Sequence, residues 1–138
     1  MDHTPSVAVV ILNWNGRSFL EQFLPSVMAS TYSNTKVIVA DNASTDESLT
    51  FLKNHYPQVG IIVNATNEGF SRGYNTALKQ VEADIFVLLN SDVEVTPGWI
   101  EPIISCFADP KVAAVQPKMR EWSTRTQLEY AGASGGWI

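Results

Sequence analysis

The chain has 138 residues, with fourteen acidic against nine basic side chains and a formal net charge of -5. Hydrophobic residues make up 45% and charged residues 17%, which describes one folded domain and excludes a disordered tail or a fibrous repeat. The clustered Lys and Arg of a nucleic-acid footprint are absent, although backbone amides, helix ends or a metal can still bind a phosphate.

The first element is Val7 to Leu12, a continuous apolar run rich in β-branched residues that suits a strand covered on both faces. Ser18 to Ala29 follows, with Phe19, Leu20, Phe23, Leu24, Val27 and Met28 at helical spacing. Pro25 lies inside that pattern and predicts a kink or a restart. Val37 to Ala40 reads as a second strand. Ser44 and Glu47 have the spacing of a capping box that opens a helix with Leu49, Leu52 and Tyr56 on one face. Ile61 to Val63 is a third strand, Asn67 to Phe70 a turn, and Tyr74, Ala77, Leu78 and Val81 a third amphipathic face. Ile85 to Leu89 is a fourth strand. Thr96-Pro97 reads as an N-cap followed by proline at the first helical position, with Ile100, Ile103, Ile104 and Phe107 as the core face of the helix. Val112 to Val115 is expected as a fifth strand. Arg120 to Ile138 has no clear period, and its closing glycines suggest a loop entering another element.

This alternation predicts an α/β sandwich with a mostly parallel sheet flanked by helices. The single cysteine, Cys106, excludes a disulfide framework and a thiolate zinc cage, and its apolar neighbours predict a buried core thiol. No apolar stretch approaches the ~20 residues of a membrane span. Met1 to Pro5 has no basic n-region, so no signal peptide is expected and a reducing cytoplasm is the default.

Open α/β sheets bind ligands beyond the carboxyl ends of their strands. The four strands run into Asn13-Trp14-Asn15-Gly16, Asp41-Asn42-Ala43-Ser44, Asn64 to Gly69, and Asn90-Ser91-Asp92. Each tract alone is ordinary turn composition. Together they predict a polar crevice on one edge. Asp92, a carboxylate just past an apolar strand, suits a hard cation such as Mg2+ or Mn2+, with an Asx-turn or a cap for the next segment as the lesser alternative. Glu94 is expected to be solvated. Asp41 can accept from a base or ribose, or cap its turn with Ser44. Arg72 stands either near a pyrophosphate or on the surface, and Trp14 either stacks on a ligand or packs in the core. Asn13 to Ser18 has no G-x-G-x-x-G, Walker A is absent, and His3 and His55 suggest neither a triad nor a zinc site.

The segments Val9 to Gly16, Val39 to Asp46, Asn67-Glu68-Gly69-Phe70 with Gly73 and Asn75, and Leu88 to Asp92 resemble family 2 glycosyltransferases of the GT-A fold, most of all their bacterial rhamnosyltransferase-like branch. The resemblance runs from about Ser6 to the last residue. It implies a nucleotide-diphosphate-sugar donor, a divalent cation (Mg2+ or Mn2+), inversion at the anomeric carbon, and a glycan or lipid-linked acceptor. Asn13 and Asn15 would lie in the first nucleotide-contacting loop, with Asp41 at the base and Asn42 beside it. Asn67, Gly69, Arg72 and Asn75 would lie near ribose and phosphates. Asn90-Ser91-Asp92 would replace the D-x-D motif, with Asp92 on the metal. No residue matches the catalytic base: Asp109, Glu121 and Glu129 do not fit its position. Residues 1–138 are therefore expected to be the donor-binding part of one GT-A domain, truncated before its acceptor side, in the cytoplasm, with missing parts as the place for any peripheral association with the inner membrane face. A noncatalytic nucleotide-sugar-binding module and a nucleotidyltransferase are the alternatives. The latter would normally carry a Gly-rich basic loop, which residues 13–17 do not supply.

Overall fold

The computed structural model describes residues 4–130. The chain divides into two compact units, 1–100 and 101–138. The expected loop at 131–138 lies outside the described residues.

In the first unit, β1 (Val7–Asn13), β2 (Thr35–Asp41), β3 (Gly60–Val63) and β4 (Ile85–Asn90) form one sheet in the order β3-β2-β1-β4. All three pairings are parallel. The connecting helices are α1 (Arg17–Met28), α2 (Ser48–His55) and α3 (Gly69–Leu78). Adjacent strand residues point to opposite faces. On one face Ala8, Val10, Ile38 and Ala40 form a core with Tyr74, Ala77 and Val81 of the α3 segment. Val7, Val9, Ile11 and Val39 alternate with them and are equally buried. β1 is thus apolar on both faces, which is what its uninterrupted run of aliphatic residues predicts.

Several expectations are corrected. α1 runs through Pro25 without a break. One missing N–H donor is tolerated where Leu24 and Val27 on either side are buried. The capping box does not form: α2 starts at Ser48 with no side-chain cap. Its buried face is Ser48, Phe51 and Leu52, while Leu49 and Tyr56 are half-buried. The turn at Asn67 to Phe70 passes straight into α3, whose first residue, Gly69, has φ +71°. Only glycine reaches that conformation without steric cost. Thr96 and Pro97 do not open a helix. They start a turn, closed by the Trp99 amide on the Thr96 carbonyl (3.2 Å), while the Pro97 carbonyl accepts from the Thr31 amide (2.9 Å). The helix, α4, begins only at Ile100 and ends at Cys106.

In the second unit, Val112 to Val115 is not a strand. β5 (Met119–Arg120) pairs antiparallel with β6 (Leu128–Tyr130) instead. The loop between them is organised by Glu121, whose carboxylate accepts from the hydroxyls of Ser123 (2.7 Å) and Thr124 (2.9 Å) and is held below its usual range by them. The Arg125 guanidinium stacks 4.3 Å over the Trp122 ring. Cys106 is exposed rather than buried, because it falls on the outer side of a seven-residue helix next to the equally exposed Ser105. No helix among the described residues is long and apolar enough to cross a membrane.

Candidate functional site

The parallel strands all end on one edge, where the last residues of β1 and β2 lock together. Asn13 and Asp41 are register partners at the ends of β1 and β2, and both are fully buried. Asn13 Nδ2 donates to Asp41 Oδ1 (3.0 Å) and to Ser44 Oγ (3.2 Å). Asp41 Oδ2 accepts from the Ser44 amide (2.8 Å). Asp41 therefore has a partner on each oxygen and holds the loop that follows it, the capping role considered for it. A buried carboxylate is tolerated only with such partners.

The loop after β1 is tied to the loop after β2. Ser44 Oγ accepts from the Asn15 amide (2.9 Å), and Asn15 Oδ1 accepts from the amides of Thr45 (2.7 Å) and Asp46 (3.3 Å). Asp46 accepts in turn from the amides of Arg17 (3.0 Å) and Ser48 (3.0 Å). Burial pushes the Asp46 carboxyl up, but the hydrogen bonds from Ser48 and Arg17 outweigh it and hold the group below the usual carboxylate range. Asn15 and Ala43 have φ of 49° and 61°. A left-handed alanine costs about 1–2 kcal/mol, which the surrounding bonds must offset.

A second network joins β2, β3 and α3. Asn42 is buried at the end of β2, and Asn64 is buried just past β3. Asn42 Nδ2 donates to Asn67 Oδ1 (2.8 Å) and to the Gly69 carbonyl (3.1 Å). Asn42 Oδ1 accepts from Asn64 Nδ2 (3.1 Å) and from the Glu68 amide (3.1 Å). Asn64 Nδ2 also donates to the Gly73 carbonyl (3.2 Å). These bonds fix the start of α3 against the sheet edge. Asn67 and Gly69 are exposed there. Arg72 is 80% exposed, 3.8 Å from the Glu68 carboxylate, and Asn75 is exposed further along α3.

At the end of β4, Asn90 and Asp92 are exposed and Ser91 is half-buried. Ser91 Oγ and Asn13 Oδ1 both flank Gly16, so the loops after β1 and β4 meet. Asn13 Oδ1 is buried with no donor from the described residues. Trp14 is 57% exposed, so it does not pack in the core. Among the described residues no group of three His, Cys, Asp or Glu side chains forms a closed metal site. One accessible carboxylate, Asp92, preceded in sequence by amide and hydroxyl side chains, nonetheless fits a hard cation that keeps waters and takes its other ligands from a phosphate. Glu94 is exposed.

Asn13, Asn15 and Asp41 thus belong to one network and Asn42, Asn67 and Gly69 to the other, joined where the Asn42 amide donates to the Asn13 carbonyl (2.7 Å), and Ser91 lies against Gly16 beside them. Asn75 and Asp92 make no part of either network. The sequence places Asn64 and Ser44 in the polar tracts and Tyr74 on a core face, but not the bonds they make: Asn64 to Asn42 and Gly73, Ser44 to Asn13 and Asn15, and the Tyr74 hydroxyl to Leu12 and Leu89. Asn64 had a signal: it follows β3 just as Asn42 follows β2.

Residues 8–131 match the protein family described as Glycosyl transferase family 2. The chain is 29% identical over 108 residues to an uncharacterized glycosyltransferase of Haemophilus influenzae, covering 76% of this chain and 33% of that protein. It is 26% identical over 130 residues to the N-acetylglucosaminyl-diphospho-decaprenol L-rhamnosyltransferase of Mycobacterium tuberculosis, covering 86% and 42%. The chain spans well under half the length of these relatives. Among solved structures it resembles S. aureus TarS in complex with UDP (20% identity, TM-score 0.67, 75% of this chain and 32% of that one). It also resembles the mannosyltransferase PcManGT from Pyrobaculum calidifontis in complex with GDP-Man and Mn2+ (23% identity, TM-score 0.59, 67% and 29%). The fold is GT-A.

Proposed function

Because the chain belongs to glycosyl transferase family 2, we propose that it is the donor-binding part of an inverting, metal-dependent enzyme that moves a sugar from a nucleotide-diphosphate donor to a glycan or lipid-linked acceptor. The observation that carries this reading is the convergence of buried Asn13, Asp41 and Asn42 with the exposed turn at Asn90-Ser91-Asp92 on one edge of a parallel sheet. Solved neighbours with this fold are in complex with UDP or with GDP-Man and Mn2+, which supports a nucleotide-sugar ligand.

In this reading the two halves of the edge have different tasks. The loops tied by Asn13, Asn15, Asp41 and Ser44 shape the nucleoside side, and the exposed Trp14 offers a ring face for a base. Asn67, Gly69, Arg72 and Asn75 line the route of ribose and phosphates. Asp92, with Asn90 and Ser91 beside it, would hold Mg2+ or Mn2+, which acts as a Lewis acid toward the leaving diphosphate. The base that takes the acceptor hydroxyl proton is assigned to no residue of this chain, so the chain alone is expected to bind donor and turn it over weakly or not at all. The cytoplasm is the proposed location.

Titration with UDP, dTDP and GDP, with and without Mn2+, tests the reading. We expect binding that Mn2+ strengthens in the wild type and not in Asp92→Ala. Equal strengthening in the variant would remove Asp92 from the cation site.

A further inference from the structure

The strand order β3-β2-β1-β4 places its reversal between β1 and β4, since the chain steps outward from β1 to β3 and then returns to the other side of β1. Crevices at such reversals are where open α/β sheets take ligands. The two sides of β1 end differently. Toward β2 the strands stay paired to Asn13↔Asp41, and the Asn42 amide extends the ladder to the Asn13 carbonyl (2.7 Å). Toward β4 the register stops one residue earlier, at Leu12↔Asn90.

Tyr74 stands at that fork. Its hydroxyl donates to the Leu89 carbonyl of β4 (2.8 Å) and accepts a longer bond from the Leu12 amide of β1 (3.4 Å). Leu12 immediately precedes Asn13, and Leu89 immediately precedes Asn90. The hydroxyl therefore sits one residue below both loops. Its ring is 2% exposed and meets Phe70 edge-on at 5.1 Å, while α3 itself is moored to the edge through Asn42 and Asn64.

We infer that Tyr74 is a positioning residue that sets the spacing between the Asn13–Gly16 loop and the Asn90–Asp92 turn. A nucleoside diphosphate with its cation must span that distance. The inference rests on the nucleotide-sugar reading for its ligand, but the spacing itself is a property of the ligand-free protein.

The test is Tyr74→Phe, which keeps the ring and removes the hydroxyl. In the ligand-free chain, amide hydrogen exchange at residues 12–16 and 90–92 is expected to accelerate together by about tenfold, with α1 unchanged. Unchanged exchange in both segments would overturn the inference. So would equal acceleration in α1, because the hydroxyl would then be a general stability contact. The second readout is the ratio of affinities for Mn2+-UDP and for uridine. We expect the variant to keep its uridine affinity and to lose roughly tenfold of the diphosphate gain. A variant that retained the full gain would overturn the role in binding. If the wild type shows no such gain, the nucleotide-sugar reading fails, and the exchange data alone decide the positioning role.

Discussion

Asn13 and Asp41 face each other across the β1–β2 ladder at its last rung, joined by a 3.0 Å bond from Asn13 Nδ2 to Asp41 Oδ1 and sealed from solvent. This pair turns two strand ends into a rigid floor. Neither residue can be removed without leaving the other buried and short of a partner.

Asp41→Ala is accordingly expected to destabilise the protein by about 3 kcal/mol, since it strips acceptors from Asn13 and from the Ser44 amide. Urea unfolding would measure it. A loss under ~1 kcal/mol would mean that water replaces the carboxylate without strain.

The glycines at the edge separate steric from conformational cost. A Cβ on Gly16 would lie 2.4 Å from Asn13 Oδ1, and Asn13 is held by its other end to Asp41. A Cβ on Gly69 would meet nothing within 4 Å, but its φ is +71°. Gly16→Ala should cost about 2–3 kcal/mol by overpacking. Gly69→Ala should cost about 1 kcal/mol by backbone strain alone. Thermal denaturation of the two variants should rank them in that order.

Tyr74 gives an alkaline signature. Burial pushes its hydroxyl up to about 12, against a smaller opposing effect of the Leu12 amide. A phenol raised in the folded state stabilises fully below its unfolded value near 10 and loses that contribution as pH rises through about 12. The wild type should therefore lose more stability than Tyr74→Phe between about pH 10 and 12. Parallel curves would show that the group ionises without unfolding cost.

Trp14→Ala should leave stability within about 0.5 kcal/mol, because the side chain is largely exposed. If the ring stacks on the donor's base, nucleotide affinity should fall by about 1–3 kcal/mol. Quenching of tryptophan fluorescence by UDP should shrink in parallel. Undiminished binding would leave Trp14 without a ligand role.

Much of the first unit was legible in the sequence for a simple reason. A strand buried on both faces must be apolar at every position, so Val7 to Leu12 announces itself; Ile85 to Leu89 is as apolar although Phe86 and Leu88 are exposed, and a polar residue ends each run at the sheet edge. Asn13, Asp41 and Asn42 were found this way, and the structure shows them buried and bonded together. Local capping signals were less dependable. Ser44 has the spacing of a box with Glu47, yet its hydroxyl is claimed by Asn13 and the Asn15 amide from another loop. Thr96-Pro97 fails similarly, since the Pro97 carbonyl is engaged by Thr31, sixty-six residues away. Cys106 sits in an apolar run of a short helix whose outer side remains open.

The sequence by itself determined the layout: the alternation of strands and helices, the polar edge, and the family to which the motifs belong. Those depend on residue type at fixed spacing, which a chain carries whether folded or not. Only the tertiary structure decided which polar groups satisfy one another. It spent both oxygens of Asp41 on neighbours within the fold, gave Asn64 a place between Asn42 and Gly73, and set the Tyr74 hydroxyl between Leu12 and Leu89. Such pairings join residues far apart along the chain, and a buried polar group takes whichever partner the packing brings within about 3 Å.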